Sequence, residues 1–237
     1  MSLYVYAITE DSHPLRLDDL KGIGEPPSEL RVVHGDSLRA VVGEAPEEIS
    51  VTRRDVEAHH TVQERLWAQG VSLPLSFGFV AADEDAVRAV LVQGAEQYAQ
   101  RLTELTDRVE FNVKGVQDED AVLRDIIEGS ARIRELNEAT REGRGTYEEQ
   151  LELGQLVAQE VQRREEALAE QVVTALRPLT YAENLSAPSQ QYFLNVSFLV
   201  DGERAKEFAE AARELDEELA DAAEVRLRGP LPPYSFA

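Results

Sequence analysis

Apolar residues recur along this chain with two different periods. Leu3 to Ile8 is apolar at nearly every position, the pattern of a central strand covered on both faces. Residues 11–28 are polar and rich in Pro and Gly and read as a loop. Leu30–Val33 and Leu38–Val42 flank His34-Gly35-Asp36-Ser37, which predicts a hairpin. The step then lengthens: Val56, His59, Val62, Leu66 and Trp67 fall mostly on one helical face, behind Thr52 with Asp55 at near capping-box spacing. Gly70 reads as a left-handed stop. Leu73–Phe79 (LPLSFGF) follows as a short extended stretch, with Pro74, which lacks an N–H, at a strand start or edge. Asp83 predicts the cap of a helix reaching Leu105, with Val87, Leu91, Gly94, Tyr98, Leu102 and Leu105 on its inner face. Val109, Phe111 and Val113 alternate with Glu110, Asn112 and Lys114, a half-buried strand.

The second half starts with helical periodicity. Val122, Ile126, Ile127, Ile133 and Leu136 predict a helix over 118–140, and residues 141–145 (REGRG) a turn. Thr146 and Glu149 have capping-box spacing and open a long helix to about Leu176, ended by Pro178. Its apolar positions, from Tyr147 and Leu151 to Val172, make the pair an antiparallel hairpin with coiled-coil character. Gly154 reads as a point of close backbone approach. A buried strand over 192–200, a helix capped by Asp201 with Ala205, Phe208, Ala212, Leu215 and Leu219 inside, and a strand over 223–227 complete the pattern. The pentapeptide DEDAV occurs at 83–87 and again at 118–122; acidic residues suiting a first helical turn account for it better than an ancestral repeat.

This order predicts an α+β protein: a ferredoxin-like domain over residues 1–117, with helices on one face of an antiparallel sheet, then residues 118–237 as the helical hairpin, a strand–helix–strand segment and an extended tail.

Composition narrows the function. A net charge of −22 argues against nucleic acid or an anionic membrane face as partner. No stretch approaches the roughly 20 apolar residues of a membrane span, and the start, MSLYVYAITE, has no signal-peptide pattern. The expectation is a soluble, cytoplasmic protein. With no cysteine, thiolate chemistry and disulfides are excluded. Lysine occurs only at Lys21, Lys114 and Lys206, which fits either GC-rich coding or a saline interior.

His59-His60 is the first place to look for chemistry. Adjacent helical residues point about 100° apart and cannot easily grip one ion, and H-E-x-x-H spacing is absent. His59 is therefore read as structural, beside Val62 and Leu66, with His60 at the helix edge near Trp67 or at an interface. The carboxylates fall on helix faces that should be solvated, and no nucleophile elbow or dinucleotide loop is present. No catalytic residue, cofactor site or metal site is assigned. The rival reading is a ferredoxin-like haem-binding or monooxygenase-type enzyme using His59 or His60. In the tail, Pro230, Pro232 and Pro233 stiffen the chain and Tyr234 and Phe236 supply anchors, so it is expected to dock, on its own domain or on a partner.

LYVYAI at 3–8, His59-His60, LPLSFGF at 73–79 (with Pro74, Phe77 and Gly78), VEFNVK at 109–114 and GPLPPYSF at 229–236 (with Gly229, Pro230, Pro232, Pro233, Tyr234 and Phe236) together resemble the GvpF/GvpL family of gas vesicle proteins. The motifs come in the family's order and span nearly the whole chain. Ser76 and Leu231 stand where the family commonly has Arg and Trp. The resemblance implies a non-enzymatic accessory or minor structural protein of gas vesicle formation. It would be built from a ferredoxin-like domain and a coiled-coil-containing helical part, and associated with the gas vesicle. Its implied partners are the hydrophobic shell protein GvpA and other accessory gas vesicle proteins; self-association is left open.

Overall fold

A computed structural model describes residues 1–189 and 191–237, and they form two compact units. One comprises residues 1–110 and 229–237; the other comprises residues 111–228. Relative to the sequence reading, the division falls inside the strand at 108–116, and the last nine residues join the first unit rather than the second.

The first unit is an antiparallel sheet. β1 (Leu3–Glu10) lies between β3 (Leu38–Glu44) and β4 (Leu73–Pro74), with β2 (Leu30–His34) beyond β3. The expected hairpin is β2–β3. Of the expected 73–79 stretch only Leu73–Pro74 is strand; a turn follows, and β5 (Val80–Ala81), just beyond it, also pairs with β1. A bulge shifts the β1–β3 register between Val5 and Ala7. Tyr4, Tyr6 and Ala7 all join one cluster with Val41 and with Val62 and Leu66 of α1 (Arg53–Trp67).

Thr52 caps α1 as its sequence predicts, its hydroxyl accepting from the Asp55 N–H at 3.1 Å. Two further helices, α2 (Glu84–Gln93) and α3 (Ala95–Leu105), pack on the sheet outside that cluster. Seven of the eight β1 residues are buried, so both its faces are covered, not one face of the sheet alone. A β-α-β-β-α-β unit needs a helix between its first two strands; here that link is the loop 11–29.

In the second unit the strand order is β7-β8-β6-β9, formed by β6 (Arg108–Val116), β7 (Ala182–Leu185), β8 (Leu194–Asp201) and β9 (Glu224–Leu231). The helix on this sheet, α7 (Ala205–Leu219), buries Phe208, Ala212, Leu215 and Leu219, as its spacing predicts. Phe208 stacks on Phe111 at 4.9 Å and tilts against Phe198 at 5.4 Å. The hairpin is α4 (Glu119–Gly129) and α5 (Ala131–Arg141) against α6 (Tyr147–Leu176). Val122, Ile126 and Ile133 meet Leu153, Leu156, Val157 and Val161. The Thr146–Glu149 capping box is complete.

Where the structure departs from the pattern, the causes are local. The helix expected over 83–105 breaks at Gly94, and the one over 118–140 breaks at Ser130. Ser130 closes α4 and caps α5 by accepting from the Ile133 N–H, which serine does better than it propagates a helix. The two DEDAV segments differ in fold context, yet each supplies its first residue, Asp83 or Asp118, as an N-cap. Gly70 is not a left-handed stop: α1 ends at Ala68 in right-handed geometry, and a Cβ on Gly70 would stand 3.1 Å from the His13 ring. Gly154 marks no close approach, since a Cβ there meets nothing within 4 Å. β7 had no sequence signal, its AENL having neither alternation nor β-branched residues.

Candidate functional site

The residues picked out along the sequence converge in the first unit. Strand alternation presents Tyr4 and Tyr6 on the face of β1 that meets α1, and α1's spacing presents His59 and Gln63 to β1. His59 is 3% exposed. Its Nδ1 lies 2.9 Å from the Tyr4 hydroxyl, and that hydroxyl accepts the Gly78 N–H at 2.9 Å. The Leu75 backbone also bonds the His59 ring. The Tyr4 hydroxyl thus joins the ring to the 75–78 turn. Gln63 Nε2 donates to the carbonyls of Tyr6 and Leu75, at 3.0 and 2.6 Å. One helix face thus holds β1 and the 75–78 turn together.

Electrostatics follow from the burial. Desolvation first, then the neighbouring His60, lowers the His59 pKa to about 4, so the ring is neutral at physiological pH. Burial raises the Tyr4 hydroxyl to about 12, which keeps it a donor. Phe77 stands edge-on to His59 at 5.4 Å and to Tyr4 at 5.9 Å. Gly78 has φ 93°, a conformation that L side chains rarely adopt. Pro74 is buried and pairs with Ala7 at the sheet's edge.

The tail closes this cluster from outside. Gly229 takes φ 148°, Pro230 is exposed, and Pro232 and Pro233 are buried. The Tyr234 hydroxyl lies 3.0 Å from His60 Nδ1, the rings edge to face at 5.4 Å. The partner of His60 is therefore the tail, not Trp67. The Ser235 N–H and hydroxyl each donate to the Glu110 carboxylate at 2.7 Å. Glu110 is 3% exposed, whereas strand alternation put it outward. Phe236 is half-buried.

Several residues of this cluster lacked a sequence signal. Tyr4 and Tyr6 read only as apolar strand, Gln63 as helix surface and Glu110 as the polar face of a strand. His13, placed in a loop, is buried: its Nε2 bonds the Leu66 carbonyl and its Nδ1 accepts the Leu15 N–H, tying loop 11–29 to α1. Asp55 likewise accepts the Gly24 N–H at 3.1 Å, and bonds from Thr52 and Gly24 hold its carboxyl below the ordinary range. The one signal on offer for these contacts was the clustering of Tyr and His in a chain only 6% aromatic.

Among the described residues no group of three or more His, Cys, Asp or Glu is placed to hold a metal ion. No helix among them is long and apolar enough to cross a membrane. Histidine, tyrosine and carboxylate in this cluster each bind one stretch of chain to another.

The chain belongs to the GvpL/GvpF family, whose model, described as gas vesicle synthesis protein GvpL/GvpF, matches residues 2–237. It is 41% identical over 237 residues to gas vesicle protein F of Streptomyces sp. (strain CB03234), covering 100% of this chain and 99% of that one. To gas vesicle protein L of the same strain it is 30% identical, covering 99% and 92%. The fold matches the crystal structure of GvpF from Microcystis aeruginosa with a TM-score of 0.82 at 23% identity, covering 99% of this chain and 98% of that one. GvpF from Anabaena sp. PCC7120 gives 0.83 at 24%, covering 100% and 95%. Membership gives the chain a role in gas vesicle formation and association with the gas vesicle, and places it among non-enzymatic proteins.

Proposed function

We propose that the chain is an F-type accessory or minor structural protein of gas vesicle assembly, acting in the cytoplasm by binding the hydrophobic shell protein GvpA and other accessory proteins. The higher identity to a protein F than to a protein L of one strain supports the F-type reading. The observation that carries partner binding is the incompletely covered helical hairpin. Leu123, Tyr147 and Leu151 are 39%, 80% and 52% exposed on α4 and α6, more apolar surface than the unit itself uses. In this reading the first unit is a ferredoxin-like sheet with one crossover helix replaced by a loop, and the hairpin is a coiled-coil arm that receives partners. A very apolar shell subunit would aggregate before assembly. A carrier with a net charge of −22 keeps such complexes apart by mutual repulsion.

The test is co-expression with the shell protein, followed by affinity capture through this chain and measurement of soluble shell protein. The expected result is capture and a larger soluble fraction, both reduced when residues 118–176 are replaced by a short linker in a variant whose first unit still unfolds cooperatively. Shell protein that stays insoluble and uncaptured would overturn direct binding.

A further inference from the structure

Two adjoining depressions run along α6 in the second unit and share Glu165 and Phe193. One, of ≈ 240 Å³, lies between α4 and α6 over Val122, Leu123 and Val161, with Glu119 on its rim. The other, of ≈ 440 Å³, continues past Glu166 and Ala169 to Leu185, at the end of β7. Among the described residues, neither is lined by a lysine or arginine. Elsewhere on the hairpin some acidic residues are matched by arginine. Glu152 pairs with Arg132, and Glu160 with both Arg163 and Arg164. Among the described residues, Glu119 and Glu165 have no cationic partner. Burial, and then the charge of Glu119, push the Glu165 carboxyl above its ordinary range. A cation brought there relieves both the desolvation and the repulsion.

We propose that this groove is a docking site for a basic amphipathic segment of a partner protein, with apolar side chains over Val122, Leu123 and Phe193 and Arg or Lys against Glu119 and Glu165. The chemistry is charge complementarity over an apolar floor. The site deepens the assembly reading above and rests on it for the identity of the partner, though not for its chemistry.

The probe is a labelled peptide of Leu, Ala and Arg with leucines at helical spacing, about 14 residues and so about 21 Å long as a helix. Its control carries Glu for Arg. Anisotropy with the full chain is expected to show binding of the Arg peptide only, weakening as salt is raised. Glu119→Gln with Glu165→Gln should weaken it about tenfold and flatten the salt dependence, and Leu123→Arg should weaken it as well. Asp36→Asn, on the first unit, should change nothing. Equal binding of the two peptides, or undiminished binding to the double variant at unchanged circular dichroism, would overturn the groove. Shell-protein capture separates the two readings. Peptide binding as described without any capture of shell protein leaves the groove and removes the assembly partner. Capture by a double variant whose affinity for the Arg peptide is undiminished does the reverse.

Discussion

Helices α1 and α6 handle burial in opposite ways. α1 is 15 residues long and buries Asp55, His59, Val62, Gln63 and Leu66; α6 is 30 residues long and buries only Val172 and Leu176. Three of the five residues α1 buries are polar, and each bonds to a particular partner in β1, loop 11–29 or the 75–78 turn. Such bonds stabilise modestly when made but cost about 1–3 kcal/mol when one partner is removed, so they fix one arrangement of the chain. α6 is instead supported by its capping box, by short-range pairs such as Glu160 with Arg163 and Arg164, and by a stripe only partly covered by α4 and α5. The first helix is complete within its own unit. The second has contact surface left over, which suits a docking arm.

Truncation tests the contrast most severely. Leu66→Ala, at a site 0% exposed, should cost about 2–5 kcal/mol in denaturant unfolding. Leu151→Ala, at 52% exposed, should stay within about 0.5 kcal/mol. Comparable losses would mean that α6 is as fully packed as α1. Next in size, Tyr4→Phe leaves His59 Nδ1 and the Gly78 N–H without their partner, an expected loss of about 1–3 kcal/mol by the same measurement.

Acid should separate the two helices as well. The folded-state pKa of His59 lies below its ordinary value, so its contribution is complete above 6.5 and is lost as pH falls from there towards 4. Glu160 is held near 2 by Arg163 and Arg164, so the contribution of its pairs is complete above 4.5 and is lost as pH falls from there towards 2. Imidazole proton shifts followed by NMR should show His59 titrating well below 6.5; an ordinary titration would contradict the buried neutral ring. A loss below that of Tyr4→Phe is expected for Ser235→Ala, about 1 kcal/mol. It should speed removal of the tail by carboxypeptidase far more than it changes global unfolding.

What was legible in the sequence is what short-range chemistry decides. Thr52, Asp83 and Thr146 could be read as caps because each bonds a backbone N–H three residues on. The β2–β3 hairpin, β8 and the inner face of α7 follow from period alone. Illegible features depend on residues far away. Glu110 is buried because Ser235 meets it 125 positions later, and His60 finds Tyr234 174 positions later. Alternation could only put Glu110 on the solvent side. The β1 bulge, beside which Ala7 joins Tyr4 and Tyr6 in one cluster, is a register event between strands that one strand's pattern does not contain. For the same reason a docked tail could be foreseen from its prolines and aromatics, while the surface receiving it could not.

The return of the tail to Glu110 also has a consequence in time. The ribosome makes Ser235 125 residues after its partner, a delay of about 6–25 s at synthesis rates of about 5–20 residues per second. Throughout that interval the first unit carries a carboxylate awaiting its two donors and a histidine awaiting its tyrosine. Final closure of the earliest-made part of the molecule thus coincides with the arrival of its latest-made part, and a chain cut short by even a few residues keeps that seam open.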